Sequence, residues 1–475
     1  MDRLKSLLLS VCVLSPFLAA LILPVYPFPA ELKVLRLEAS RARNSGEEFS
    51  EAAALENLVR YTPWDGEAWQ RLGRLYLDLG RFDESVIAFD KAATFQELSN
   101  EGQVWYADAL FRSGRENEAR EYLRGYSLSA EVDSFVFLQA AILQRKISDV
   151  SGALVTLLKA LEVEPGNGEL NYQTGLLLSV SDPDQGLPFL KNAATFSPSR
   201  AVNSKTLLDL ISKTSVDDNK SLRFIAIGQE LATIQEWDVA QMAFEKAVTL
   251  DATNAEAWAL LAEARQQNGE EGRDFITQAL KLDPGAELVN GLSGLYYRRQ
   301  GNFELALDYL QKAASLNPAA YVWEIEIANT YDTMGNLSSA LEHHQNATRI
   351  APNDWQPWRA LAEFCLTRNL ELEDLGIPAA RRALELYENS PALMDLLGTV
   401  LMTTGDLNEA LTYFQLADQI DPNQTPILIH IGQLYLLKDD LKLAGEYLRL
   451  AREYAKDERL RDLAVRLLLE NGLME

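Results

Sequence analysis

Cysteine and histidine are almost missing from this chain: two cysteines and three histidines occur among 475 residues. Cys12 lies in an apolar N-terminal stretch and Cys365 far downstream, so no disulfide framework holds the fold. LSVC around Cys12 is a poor lipidation signal, because Val11 stands where a small residue is required. His343 and His344 are adjacent, so on a helix they point in different directions, unlike the i, i+4 pair of a helical zinc site. CxxC, HExxH, Walker and Gly-rich phosphate sequences are all lacking, which leaves no catalytic constellation, metal site or cofactor to expect. Positive charge is also scarce. Lys and Arg number 44 against 69 Asp and Glu, for a formal charge of −25. That excess argues against nucleic acid, whose phosphates must be neutralised by Lys and Arg. It equally disfavours an anionic membrane surface, and most of the acid is expected on solvated helix faces. Apolar residues make up 47% of the chain, so global disorder is excluded.

What is present is repetition. In ELVNGLSGLYYRRQGNFELALDYLQKAASLNP (Glu287–Pro318), Leu288, Leu292, Leu295 and Tyr296 mark one helix ending near Gly301. Leu305, Ala306, Tyr309, Leu310 and Ala313 mark a second that begins at Asn302–Phe303. The i, i+3, i+4 recurrence is helical. Pro318 ends the second helix, since its ring removes a donor and disfavours helical geometry at Asn317. Gly294 and Ala306 let the paired helices approach closely, and Ala313 lets the second helix meet the next hairpin. Shifted by 34, the pattern returns as Ala328, Tyr331, Gly335, Ala340, Ala347 and Pro352.

The pattern resembles the tetratricopeptide repeat family, whose signature is W-x2-L-G-x2-Y, then A-x3-F, then A and P. The clearest copy is Trp69, Leu72, Gly73, Tyr76, Gly80, Phe82, Phe89 and Ala92, departing at Ser85 in a small-residue slot. The resemblance covers about residue 49 to the C-terminus in eleven recognisable units. It implies an all-α, right-handed superhelical solenoid of stacked helix-turn-helix hairpins.

Along the chain, residues 1–30 stand apart. No charged residue occurs from Ser6 through Ala30, and Leu7–Leu23 is rich in Leu, Val, Ala, Phe and Ile. About 20 such residues suffice to cross a bilayer core. Two readings compete: a cleaved signal peptide, or an uncleaved signal-anchor. Phe28-Pro29-Ala30 fails the small-residue rule at Phe28, which favours the anchor. Arg3 and Lys5 favour a cytoplasmic N-terminus and an extracytoplasmic repeat region. Lys33, Arg36, Arg41 and Arg43 on the other flank weaken that vote. Residues 31–198 are expected to form a first arm, with Phe49–Tyr61 the second helix of its opening hairpin and Pro188 wearing its fourth unit. The register then breaks. At 199–220 an unpaired helix, Ala201–Lys213, and a polar loop make the best hinge candidate; residues 221–456 form a second arm. That arm is two residues short near Gly269–Arg273 and carries two extra near Glu371–Ile377. Residues 457–475 are expected as a capping helix covering the last apolar face.

In the family the first helices of successive hairpins line a concave groove. Carrying its groove positions over residue by residue gives Glu101, Val104, Asp108, Phe111 and Arg112, then Phe135, Leu138, Ile142, Arg145 and Lys146. Leu295, Arg298 and Arg299 follow, then Ile325, Asn329 and Asp332, then Gln356, Arg359 and Glu363. Asp108, Phe111, Arg145, Arg298, Arg299, Asn329 and Arg359 are the candidate partner contacts. Arg298, Arg299 and Arg359 are expected to converge into a local positive site for an acidic or C-terminal segment, unless carboxylates such as Glu326 and Glu363 pair with them. A specialised class clamps peptide C-termini with Lys, Asn and Arg. Here Ile325 and Pro357 replace the clamp's Lys and Asn, so that mode is not expected. The resemblance thus implies a non-catalytic scaffold that holds protein segments, and the apolar N-terminal stretch adds the expectation of a membrane anchor. The alternative is a soluble exported binding protein.

Overall fold

The structure is a computed structural model, and it describes residues 29–125, 133–214 and 219–474. Among the described residues there are α-helices, one π turn and no strand. The chain divides into two compact units, the first ending at Ala243 and the second running from Phe244 to Glu475. The helices of the first unit are α1 (Pro29–Ser45), α2 (Glu48–Tyr61), α3 (Gly66–Asp78), α4 (Phe82–Phe95), α5 (Asn100–Arg112), α6 (Glu116–Gly125), α7 (Ser134–Lys146), α8 (Val150–Val163), α9 (Gly168–Ser181), α10 (Pro183–Phe196), α11 (Ala201–Lys213) and α12 (Lys220–Thr233). Helix α13 (Trp237–Leu250) spans the boundary. The second unit continues with α14 (Ala255–Gln267), α15 (Arg273–Leu282), α16 (Glu287–Arg299), α17 (Phe303–Leu316), α18 (Tyr321–Thr333), α19 (Leu337–Ile350), α20 (Trp355–Arg368), α21 (Ile377–Leu386), α22 (Pro391–Thr404), α23 (Leu407–Ile420), α24 (Thr425–Leu437), α25 (Leu441–Tyr454) and α26 (Glu458–Glu470).

Each hairpin is closed by local chemistry. In α16–α17 the chain turns at Gly301, whose φ of 75° lies in the left-handed region that glycine enters without a Cβ penalty. The Asn302 side chain then accepts from the Leu305 N–H, capping α17. One repeat later Gly335 (φ 78°) and the Asn336 cap on Ser339 repeat the device. Gln235 and Asp439 hold the same turn position with φ of 66° and 60°, so a side chain is tolerated there at some strain.

Within each hairpin, small residues set the approach. Ala306, Ala313, Ala340 and Ala347 are fully buried. A Cβ built on Gly294 would meet Leu310 Cγ at 2.5 Å and the Ala306 carbonyl oxygen at 3.0 Å. Ser85, the departure in the small-residue slot, is also fully buried, and its hydroxyl donates to the Gly73 carbonyl at 2.7 Å. A polar group thus sits at a helix crossing with its hydrogen bond satisfied.

The irregularities resolve differently. Pro188 lies inside α10, which runs unbroken from Pro183 to Phe196; the missing N–H leaves the Asp184 carbonyl without its usual i+4 donor. The short unit shortens its second helix, α15, to ten residues. The two extra residues are absorbed by left-handed Asn369 and Glu371 and a π turn at Leu372–Gly376. Helix α11 buries Leu207 and Ile211 and packs on α10. At the C-terminus α26 buries Ala464 and Leu468, with Ala464 packed among Leu428, Ile429 and Ala451. No helix among the described residues is long and apolar enough to cross a membrane. The apolar stretch Leu7–Leu23 lies outside the described residues.

Candidate functional site

First helices of successive hairpins lie side by side in each unit, and clefts form between them. In the first unit Val104, Asp108 and Arg112 from α5 face Ile142 and Lys146 from α7 across a cleft of about 250 Å3. Arg74 of α3 closes one side, its guanidinium 4.9 Å from the centre of the Trp105 ring. Asp108 is paired along its own helix with Arg112 at 3.1 Å. In the second unit Ile325, Asn329 and Asp332 from α18 face Gln356, Arg359 and Glu363 from α20 across a cleft of about 440 Å3. These are the positions the sequence places on one face.

The remaining candidates behave otherwise. Phe111 is half-buried and packs with Ala107, Leu123, Leu143 and Ile147, so it serves the contact between hairpins. Arg298, Arg299 and Arg359 do not form a free cationic site. Arg298 pairs with Glu326 of α18 at 2.6 Å, Arg299 reaches back to Glu263 of α14 at 2.7 Å, and Arg359 pairs with Glu363 at 2.9 Å. Arg298 and Arg299 therefore turn to opposite neighbours, and each charge is met by a carboxylate. The physical reason is helical geometry: adjacent residues project about 100° apart, so one faces each neighbouring repeat.

A ladder of such pairs links the first helices of the second unit. Glu263–Arg299 joins α14 to α16, Arg298–Glu326 joins α16 to α18, and Asp332–Arg368 joins α18 to α20 with two bonds of 2.6 and 2.8 Å. Asp395–His430, at 2.7 Å, joins α22 to α24. The acid precedes its arginine or histidine partner by 36, 36 and 35 residues in three of these rungs, one repeat plus one or two. The spacing recurs along the chain, but which acid meets which partner is decided by the packing of neighbouring helices.

Arg145 is the most enclosed of the candidate arginines. Its guanidinium lies 2.7 Å from Asp238, 3.2 Å from Glu236 and 2.8 Å from the Gln173 amide oxygen, with 13% of the side chain exposed. The turn between α12 and α13 thus closes onto α7 and α9 within the first unit. Burial pushes the Glu236 carboxyl above its ordinary pKa, against the pull of Arg145. Arg145 is therefore an internal tie. Nothing near it in sequence signals this, because its carboxylate partners lie about 90 residues on.

The repeat sequence, the glycine-turned hairpins and the small-residue crossings agree with the family comparison. A model of the tetratricopeptide repeat matches residues 66–97, 289–319 and 392–424. The chain carries tetratricopeptide repeats. Those three matches fall on α3–α4, α16–α17 and α22–α23. Among the described residues between them, further helices pack in consecutive pairs, apart from α11. No curated protein matches the sequence. Among solved structures the chain is similar to yeast Tom70, with 15% identity, 94% of this chain and 96% of that one covered, and a TM-score of 0.44. It is also similar to the APC/C hetero-tetramer Cut9-Hcn1 (15% identity, 92% and 96% covered, TM-score 0.39). A third is YrrB, described as a TPR protein with an unusual peptide-binding site (22% identity, 40% and 97% covered, TM-score 0.32). At scores this low the likenesses carry no functional inference.

Among the described residues no cluster of three or more His, Cys, Asp or Glu side chains is placed to hold a metal ion. His343 is held by Glu324 at 2.7 Å and His430 by Asp395 at 2.7 Å. His344 is buried, and burial pulls its pKa down to about 4.

Proposed function

We propose that this protein is a non-catalytic scaffold that holds extended segments of partner proteins against the first helices of its hairpins, and that the apolar stretch Leu7–Leu23 anchors it in a membrane with the repeats on the extracytoplasmic side. The observation that carries the binding reading is the cleft between α18 and α20, walled on both sides by side chains from successive first helices. A segment lying along that face would touch several repeats at once. The partition into arms at 31–198 and 221–456, with 199–220 between them, belongs to the same reading; it is motivated by α11, which interrupts the alternation of hairpins.

The test uses cleft-filling variants. Ile142→Trp and Ala360→Trp occupy the two clefts with little change to the core, since both residues are half-buried. Each should weaken capture of partners from native membranes roughly tenfold, about 1.4 kcal/mol. Lys312→Ala with Arg349→Ala, on second helices, should leave capture unchanged. If the Trp variants retain every captured partner at wild-type levels, the groove is not the binding face. Intact mass of the membrane fraction separates the anchor from the cleaved, soluble exported form.

A further inference from the structure

The slot on the second helix that packs under the first is filled by Phe89, Leu310, Phe414 and Leu448 where Gly73, Gly294, Gly398 and Gly432 face it. In the hairpin α18–α19 the same slot, one repeat of 34 beyond Leu310, holds His344. The residue is 3% exposed, its ring lies 4.9 Å from that of Phe364, and its Nδ1 is buried with no hydrogen-bond partner in the protein. A buried polar atom without a partner is destabilising, and such atoms are rare in folded chains. This one belongs to a residue that also lines the 440 Å3 cleft between α18 and α20. A phenylalanine or leucine would fill the slot without that cost.

We infer that this cleft is a subsite for an uncharged, hydrogen-bonding side chain of the bound segment, a carboxamide or hydroxyl, with His344 as its specificity-determining residue. The inference rests on the groove reading above. Three features of the cleft select that chemistry. Its charges are already neutralised: Asp332 is held by Arg368 through two bonds, and Arg359 by Glu363. A charged ligand would have to break one of these pairs. Its apolar wall, Ile325, Ala360 and Phe364, suits a side chain with an aliphatic stem. The imidazole, kept neutral by burial, carries one N–H and one lone pair. An amide donates and accepts, so it complements either tautomer.

The experiment uses the full chain labelled with 15N-histidine, in which only three residues report. The probes are synthetic Ala/Gly host peptides carrying a single Gln, Leu or Glu guest. The Gln peptide should move the His344 ring resonances, leave those of His430 in place, and bind roughly tenfold tighter than the other two. His344→Phe, or His344→Leu where Phe fails to fold, should erase the preference and raise the thermal midpoint. Equal binding of the three guests by the wild type overturns the inference. So does a preference that survives His344→Phe, or a lower midpoint in both variants, which would mean the nitrogen is satisfied structurally. If partners are captured but no guest moves His344, the subsite falls and the groove reading stands. If neither occurs, the groove reading itself falls.

Discussion

At the scale of single residues, His344 and Gly294 carry the sharpest consequences. His344 has an ordinary pKa of 6.5 in the unfolded chain and about 4 when folded, chiefly because burial penalises the imidazolium. His343 adds to that shift, while Asp332 opposes it. The unfolded state therefore binds more protons between those values. Stability from this residue is present above pH 6.5 and is lost as the pH falls toward 4, roughly 3 kcal/mol in all. Urea unfolding across that window should show the loss in the wild type and a flatter profile in His344→Phe. A parallel pair of profiles would remove the histidine from the acid response. Gly294 is a matter of space. With Leu310 Cγ at 2.5 Å from a built Cβ, Gly294→Leu overpacks the hairpin and should cost about 1–3 kcal/mol. Gly294 was legible in the sequence as a small-residue slot, and the period of 34 puts His344 in the slot of Leu310. The unpartnered nitrogen was not, because it depends on what the neighbouring helix α20 brings against the ring.

At the scale of elements, the ion pairs divide by burial. Arg145 and Glu236 are 13% and 14% exposed, so Arg145→Ala leaves the enclosed Glu236 carboxylate, with Asp238 beside it, without this cation. The loss should be roughly 3 kcal/mol, read as faster hydrogen exchange across 134–146 and 220–233. Arg359 and Glu363 are each 47% exposed, and Arg359→Ala should cost under about 1 kcal/mol. Comparable losses in the two variants would mean that enclosure of Arg145 is not what the tie depends on. Position numbering within the repeat put Arg145, Arg298, Arg299 and Arg359 on one face, and it supplied their helices and register. It could not supply their partners, since an arginine side chain reaches the adjacent repeat and the sign of what it meets there is set by packing. Phe111 illustrates the same limit: a groove position by register, it is taken up by contact with α7.

At the scale of the whole molecule, a repeat array transmits damage only to neighbours. Gly294→Leu should raise hydrogen exchange across about 287–352 and leave 66–165 protected; loss of protection everywhere at once would contradict an array. The anchor makes a separate demand. If Leu7–Leu23 crosses a bilayer, the chain should stay with membranes through an alkaline carbonate wash. Leu14→Arg with Ala19→Arg should release it, each arginine costing roughly 2.5–3.5 kcal/mol at a helix centre. Intact wild-type protein in the wash supernatant would end the anchoring proposal. What the sequence alone determined is everything that recurs with the repeat: helix starts at Asn302 and Asn336, turns at Gly301 and Gly335, and small residues at helix crossings. These are local, because a cap, a left-handed turn and a close approach each need one residue type at one spacing. Only tertiary structure decided which charges are spent on the protein itself. The closure of Glu236 and Asp238 onto Arg145 and the orphaned nitrogen of His344 both arise where separate hairpins meet. There, distance along the chain no longer says what is near.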